Sequence, residues 1–127
     1  MRKIFEILLA AGLLAAILAA DPVRKISIDT TCLVKNVWGY NGRTPVRITL
    51  VDGKITEIVP LDNSEDPAYF KLVTESGIFA KLNGKTPEEA LKVRLDAVSG
   101  ATYSSEGIIR NIRAGLKAAA DSLAAHP

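Results

Sequence analysis

Hydrophobic and polar residues alternate most clearly in the middle of the chain. The apolar residues of one segment occupy every second position: Val46, Ile48 and Leu50. This pattern is typical of a strand with one buried face. Asp52-Gly53 is a two-residue hairpin signal, so residues 54–59 are predicted to return as a second strand that Pro60 ends. A shorter alternation over residues 25–29 predicts another strand or a lead-in to the sheet.

Two short helices are predicted from their capping residues. Residues 63–67 offer caps and a helix-compatible proline, and the helix from Tyr69 to about Glu75 is expected to bury Tyr69, Leu72 and Val73. In the second helix Thr86 is the expected N-cap, with Pro87 at the first position and Glu89 closing a capping box. A brief strand over residues 93–95 is expected next.

A long C-terminal helix is predicted from about Ser105 to Ala124, with Ser104 or Ser105 as its N-cap. Its apolar residues recur at spacings of three and four: Ile108, Ile112, Leu116, Ala119 and Leu123. The order of strands, then helices, indicates an α+β fold with a small antiparallel sheet and helices packed on it, in a single domain.

The turn before the long helix has the composition of an anion site. Ser99-Gly100-Ala101-Thr102 is small and flexible, and Gly100 lets the backbone approach a ligand or adopt positive φ. Free N–H groups and the positive end of the helix dipole are expected to face this turn. A phosphate fits that arrangement, although the same residue types are also ordinary loop and capping residues.

Composition narrows the possible chemistry. A length of 127 residues allows one domain, and a net charge of +2 gives no electrostatic case for binding nucleic acid. One cysteine and one histidine, far apart, exclude an internal disulfide, a Cys/His zinc site and a histidine-based catalytic triad. We therefore predict neither catalytic residues nor a metal site.

Residues 1–20 resemble an export signal or a membrane anchor. Arg2 and Lys3 precede an apolar run that ends in Leu18-Ala19-Ala20. The run is short for a spanning helix, which favours a cleaved signal over a retained anchor. The remaining domain, 21–127, is expected to be extracytoplasmic, in the periplasm or at the outer face of the membrane.

Residues 96–102 also carry a family resemblance. The sequence Asp-x-x-Ser-Gly-Ala-Thr, followed by x-Ser-Ser, resembles the signature of the FMN-binding domain family. That family includes the covalently flavinylated subunits of the Rnf complex and of the sodium-translocating NADH:quinone reductase. The resemblance implies that a separate flavin transferase bonds the FMN phosphate to Thr102 as a phosphodiester. It also implies that the other motif residues guide the transferase and cradle the phosphate: Asp96, Ser99, Gly100 and Ala101.

The resemblance extends more loosely along the chain. The turn at residues 39–42 and the hairpin at residues 46–58 fit family patterns. Residues 62–67 fit poorly the His-x-Glu-Thr-Pro-Gly stretch of the family, because the His, the Thr and the Gly are missing. Trp38, Tyr40 and Tyr103 are candidates to flank the flavin ring. For Trp38 and Tyr40 a role in the core or the turn is the preferred interpretation, and for Tyr103 both interpretations stay open.

These observations together predict an exported electron-transfer flavoprotein that carries FMN on Thr102. Its expected partners are a flavin transferase and membrane or extracytoplasmic redox proteins. An electron carrier, or a subunit of an oxidoreductase system, is favoured over a stand-alone enzyme because no site for nicotinamide or a substrate is visible. The alternatives are a small FMN-dependent reductase and a secreted interaction module without flavin.

Overall fold

The computed structural model describes residues 23–34 and 38–126. The predicted signal or anchor, residues 1–20, lies outside these ranges. The strands are β1 (Lys25–Asp29), β2 (Val46–Val51) and β3 (Lys54–Pro60). The helices are α1 (Pro67–Thr74), a 3₁₀ turn (Ala80–Leu82), α2 (Pro87–Leu91) and α3 (Thr102–Ala125). Within the described ranges no helix is both long and apolar enough to cross a membrane.

The predicted hairpin forms the centre and one edge of an antiparallel sheet with the order β1-β2-β3. Val46, Ile48 and Leu50 are fully buried on one face of β2, which confirms the alternation. Asp52 and Gly53 both have positive φ, 50° and 81°. Such a pair is the signature of a type I′ turn, whose twist matches that of the flanking strands.

A β-bulge in β3 changes which residues face the core. Thr49 pairs with Glu57 and Leu50 pairs with Ile55, so Thr56 has no residue opposite it. The Thr56 hydroxyl donates a hydrogen bond to the Thr49 carbonyl at 3.2 Å. As a result the buried residues of β3 are Ile55 and Ile58, three positions apart instead of two.

Helix α3 packs across the buried face of the sheet. Four of the five apolar residues that the spacing predicts are buried: Ile108, Ile112, Leu116 and Ala119. The fifth, Leu123, is half-buried, and Ile109 is buried although the spacing did not include it. Gly115 brings the helix close to the strands, since a Cβ there would lie 2.7 Å from Ile48 Cδ1 and 2.8 Å from Thr30 Cγ2. The three-stranded antiparallel sheet with helices against it confirms the α+β prediction.

A buried polar network joins α3 to the sheet. The Thr30 hydroxyl donates to Asn111 Oδ1 at 2.8 Å and accepts from the Val46 N–H at 2.9 Å. Asn111 Nδ2 donates to the Gly107 carbonyl at 2.9 Å. Each of these buried polar groups therefore has a partner, which is the condition under which burying them is tolerated.

The two short helices begin where their caps predict. In α2 the Thr86 hydroxyl accepts from the Glu89 N–H, and the Glu89 carboxylate accepts from the Thr86 N–H, so the capping box is confirmed. In α1 the Asp66 carboxylate accepts from the N–H groups of Ala68 and Tyr69.

Two predictions about this region are wrong. Only Val73 of the three expected core residues of α1 is buried, and Tyr69 and Leu72 are 49% and 44% exposed. The reason is the orientation of the helix, whose inward face carries Val73 and the half-buried Phe70. Residues 93–95 are not a strand. The Val93 N–H instead donates to the Ala90 carbonyl and finishes α2.

Candidate functional site

The motif loop folds back onto the first turn of α3. Gly100 has φ +85°, the left-handed region that favours glycine. The Ala101 N–H donates to the Val98 carbonyl at 3.0 Å, which closes the turn. The Ser105 hydroxyl accepts from the Val98 N–H at 3.0 Å and donates to the Ala101 carbonyl at 2.7 Å. One buried hydroxyl thus holds both ends of the loop.

The long helix begins three residues earlier than predicted, at Thr102. Its N-cap is Ala101, and no side chain caps it. The prediction that Ser104 or Ser105 is the cap is wrong, because both lie buried inside the first turn and Ser105 is engaged with the loop. The first-turn N–H groups consequently have no capping side chain, which leaves them available to an anion.

A pocket of about 340 Å³ opens beside this uncapped helix start. Its lining combines the motif with aromatic side chains: Gly100, Ala101, Thr102, Tyr103, Ser104, Tyr40 and Tyr69. The three tyrosines, which we call the tyrosine wall, come from three separate parts of the chain. The Tyr40 ring centre lies 6.4 Å from that of Tyr69 and 6.4 Å from that of Tyr103.

The preferred interpretation places Trp38 and Tyr40 in the core or in the turn. The core part of that interpretation is wrong, because both side chains are 65% exposed. Tyr103 is 64% exposed and lines the pocket, so the structure favours its flanking role. Tyr69 is a pocket residue that the sequence analysis missed. Its spacing in α1 indicated a core position, and nothing in the local sequence distinguishes that from a pocket position.

The five predicted site residues divide into two groups. Gly100, Ala101 and Thr102 line the pocket, and the Thr102 side chain is exposed at the first helical position. Ser99 and Asp96 are exposed and do not line it. Asp96 Oδ1 instead accepts from Arg94 Nε at 2.9 Å on the surface. The motif therefore has one part that lines the pocket, residues 100–102, and one part that lies on the surface outside the pocket lining, Asp96 and Ser99.

The chain also matches the model of a known family. The model of the FMN-binding domain family matches residues 39–117, which is more than half of the chain and includes every pocket residue. The chain belongs to the FMN-binding domain family. It is an FMN-binding flavoprotein, so the resemblance drawn from the motif and the prediction of FMN as the cofactor are both confirmed.

The chain is also similar to a second known protein. It is 34% identical over 74 residues to an uncharacterized protein of Treponema pallidum (strain Nichols). The alignment covers 58% of this chain and 19% of the relative. The chain thus spans about a fifth of the length of that protein.

The residues present fit FMN at both ends of the molecule. The uncapped N–H groups of α3 and the open backbone at Gly100 suit the phosphate. The tyrosine wall offers flat aromatic faces for the isoalloxazine ring. The pocket volume of about 340 Å³ lies at the lower end of the range for ligand pockets, which is about 300–1,000 Å³.

Proposed function

We propose that this FMN-binding domain is an extracytoplasmic electron carrier whose FMN is bonded through its phosphate to Thr102. The observation that carries the proposal is the position of Thr102. Its exposed side chain lies at the first residue of an uncapped helix and lines the pocket that contains the tyrosine wall. A phosphate joined to this hydroxyl lies close to the first-turn N–H groups, which stabilise its charge.

Attachment requires a base and an activated flavin donor. Thr102 Oγ1 forms a new bond to the phosphorus of a flavin phosphoanhydride, and the anhydride P–O bond breaks and releases the second phosphate group. The hydroxyl proton must go to a base, because a threonine hydroxyl is a weak nucleophile at its free pKa. The pocket lining contains no histidine and no carboxylate. A flavin transferase is therefore the partner that supplies the base.

Two features support a role in electron transfer: the chemistry of FMN and the exposure of the tyrosines that line the pocket. FMN, when bound, accepts and releases electrons, and the protein supplies attachment, orientation and tuning. The tyrosines that line the pocket are 49–65% exposed. A ring held against them is accessible to a membrane or extracytoplasmic redox partner. A covalent bond also prevents loss of FMN outside the cytoplasm, which agrees with residues 1–20 acting as an export signal or anchor.

The first experiment is intact mass and visible absorption of the full chain, co-expressed with a flavin transferase and exported. We expect an FMN-sized mass increment and yellow colour in the wild type. Thr102→Ser is the matched control, since it keeps a hydroxyl at the same place and should retain some attachment. Thr102→Ala should lose the increment. An unmodified wild type, or an increment that persists in Thr102→Ala, contradicts the assignment.

Export needs a separate test. The full chain and a variant without residues 1–20 should be compared by cell fractionation. We expect the full chain in the periplasmic or membrane fraction and the truncated chain in the cytoplasm. Equal distribution of the two proteins would show that residues 1–20 carry no targeting information.

A further inference from the structure

Glu65 is a buried carboxylate that neither the motif nor the pocket lining includes. It is 6% exposed, and among the residues that the structure describes it is the only ionisable side chain classed as buried. Both of its oxygens are used: Oε1 accepts from the Tyr40 N–H at 2.6 Å and Oε2 accepts from the Asn41 N–H at 2.5 Å. Two charge-assisted hydrogen bonds therefore hold the backbone of the loop that carries Tyr40.

The loop is shaped to receive this carboxylate. A Cβ on Gly39 would lie 1.8 Å from Glu65 Oε1, so a glycine is required there. The Gly39 N–H donates to the Gly42 carbonyl at 2.6 Å, which closes the loop around the two donors. On the other side, the Glu65 N–H donates to Asn63 Oδ1 at 3.0 Å. Hydrogen bonds thus hold Glu65 through both its backbone N–H and its two carboxylate oxygens.

The same segment also positions the second tyrosine. Asp66, the next residue, caps α1 and accepts from the Tyr69 N–H at 3.4 Å. Two adjacent acidic residues consequently fix the loop that carries Tyr40 and the start of the helix that carries Tyr69. Tyr40 is the shared member of the tyrosine wall, because its ring centre lies 6.4 Å from both of the other rings.

We infer that Glu65 is a positioning residue for the flavin ring, which keeps Tyr40 in the tyrosine wall by binding the N–H groups of Tyr40 and Asn41. The inference rests on the proposed function only in placing the ring against that wall. Residues 62–67 lack the His and the Thr of the family pattern but keep its Glu, as Glu65, and its Pro, as Pro67. In this role Glu65 acts on the flavin ring through the backbone of another loop, without touching the cofactor.

The test is the fluorescence lifetime and the midpoint potential of the flavin-loaded full chain. A tyrosine ring in contact with an excited flavin quenches it by electron transfer, so the lifetime reports how close the tyrosine wall lies to the ring. Comparison with Tyr40→Leu isolates the part of the quenching that comes from Tyr40. Glu65→Gln keeps one acceptor oxygen but places an NH₂ against an N–H donor. We expect loss of the short-lived component and a shifted potential, with FMN still attached. Glu57→Gln, exposed on β3, is the matched control and should change neither quantity.

Two further variants, Tyr40→Leu and Gly39→Ala, test the same inference by the same lifetime measurement if Glu65→Gln does not fold. Tyr40→Leu removes an exposed ring and should lengthen the lifetime in the same way. Gly39→Ala displaces the carboxylate without changing any charge and should do so too. An unchanged lifetime in folded Glu65→Gln or in Tyr40→Leu overturns the inference.

The outcomes also separate this inference from the proposed function. A wild type that lacks the FMN mass increment overturns the covalent bond to Thr102 alone. The same lifetimes are then measured with FMN added to the protein, because the chain is an FMN-binding domain in either case. A wild type that carries FMN but has the lifetime of Tyr40→Leu overturns the role of Glu65 while the proposed function stands.

Discussion

The middle and the start of helix α3 belong to one continuous element but obey different physical rules. In the middle, Ile112 and Leu116 are buried against the sheet and the polar side chain of Asn111 has hydrogen-bond partners for its oxygen and its nitrogen. At the start, Thr102 and Tyr103 are exposed and no side chain caps the first turn. The polar groups in the middle of the helix are satisfied within the protein, whereas the first-turn N–H groups have no side-chain partner and are available to a ligand.

This difference shows how a small domain maintains a binding site. An uncapped helix start loses the stabilisation that an N-cap provides. Helix α3 tolerates the loss because its middle is fixed by packing that does not depend on the first turn. Local rules are commonly broken at functional sites for this reason. The variants below test the difference between the two regions, beginning with the largest expected effect.

The comparison predicts that truncations in the two regions have unequal effects on stability. Ile112→Ala removes a fully buried side chain and should lower the free energy of unfolding by about 2–5 kcal/mol. Thr102→Ala changes an exposed residue and should stay within about 0.5 kcal/mol of the wild type. Denaturant unfolding of the FMN-free protein measures both. Equal losses for the two variants would mean that the helix start also contributes to the core.

The buried polar network is the next test of the middle region. Asn111→Ala leaves the Thr30 hydroxyl without its acceptor at 2.8 Å, and an unsatisfied buried group costs about 1–3 kcal/mol. Asn83→Ala, in an exposed turn, is the matched control and should change stability by less than about 0.5 kcal/mol. The same unfolding assay applies. A variant as stable as the control would show that the network contributes nothing to folding.

The parts of this structure that the sequence predicts are those decided by neighbours in the chain. The alternation of β2, the turn at Asp52-Gly53 and the capping box at Thr86 depend on a few adjacent residues, and all three are confirmed. The bulge at Thr56 depends on how two strands pair, which a single strand does not encode. Capping by Ser105 failed for a similar reason, since its hydroxyl bonds to Val98 in the folded loop.

The candidate site divides in the same way. Gly100, Ala101 and Thr102 form a contiguous motif, so the sequence identifies this part of the pocket directly. The tyrosine wall brings together residues 40, 69 and 103, and only the tertiary fold makes them neighbours. Spacing in α1 suggested a buried Tyr69 because periodicity shows which residues share a face but not what covers that face. The bond to Thr102 stays a prediction.

A substitution at Gly100 tests whether the turn before helix α3 is needed for FMN attachment. Gly100→Ala forces a non-glycine residue to φ +85°, which costs about 1–2 kcal/mol. The new Cβ would lie 3.5 Å from Leu72 Cδ1, an ordinary contact, so the cost is conformational. We also expect reduced FMN attachment, measured by intact mass. Gly84→Ala is the matched control, with φ +81° and open space. It should lose similar stability and keep full attachment.

Helix α2 provides the contrasting case of a capped start, with the smallest expected effect. Hydrogen bonds from the Thr86 side chain, and then from its backbone, lower the pKa of Glu89 below its ordinary value of 4.5. A carboxyl whose pKa is lower in the folded state stabilises the fold above the unfolded pKa, and this contribution is lost as the pH falls through the folded pKa.

Thr86→Ala removes the N-cap of α2 and should reduce stability by about 1 kcal/mol at neutral pH. Because the pKa of Glu89 then moves back toward its ordinary value, the stability should also depend less on pH below 4.5. Helix α3 has no acidic residue in its first turn. Thr102→Ala should consequently leave the acid dependence unchanged, because its helix start has no carboxylate to protonate. Thermal unfolding of the FMN-free proteins between neutral and acid pH measures both. If Thr102→Ala altered the acid limb as Thr86→Ala does, the start of α3 would not be the open end that the structure describes.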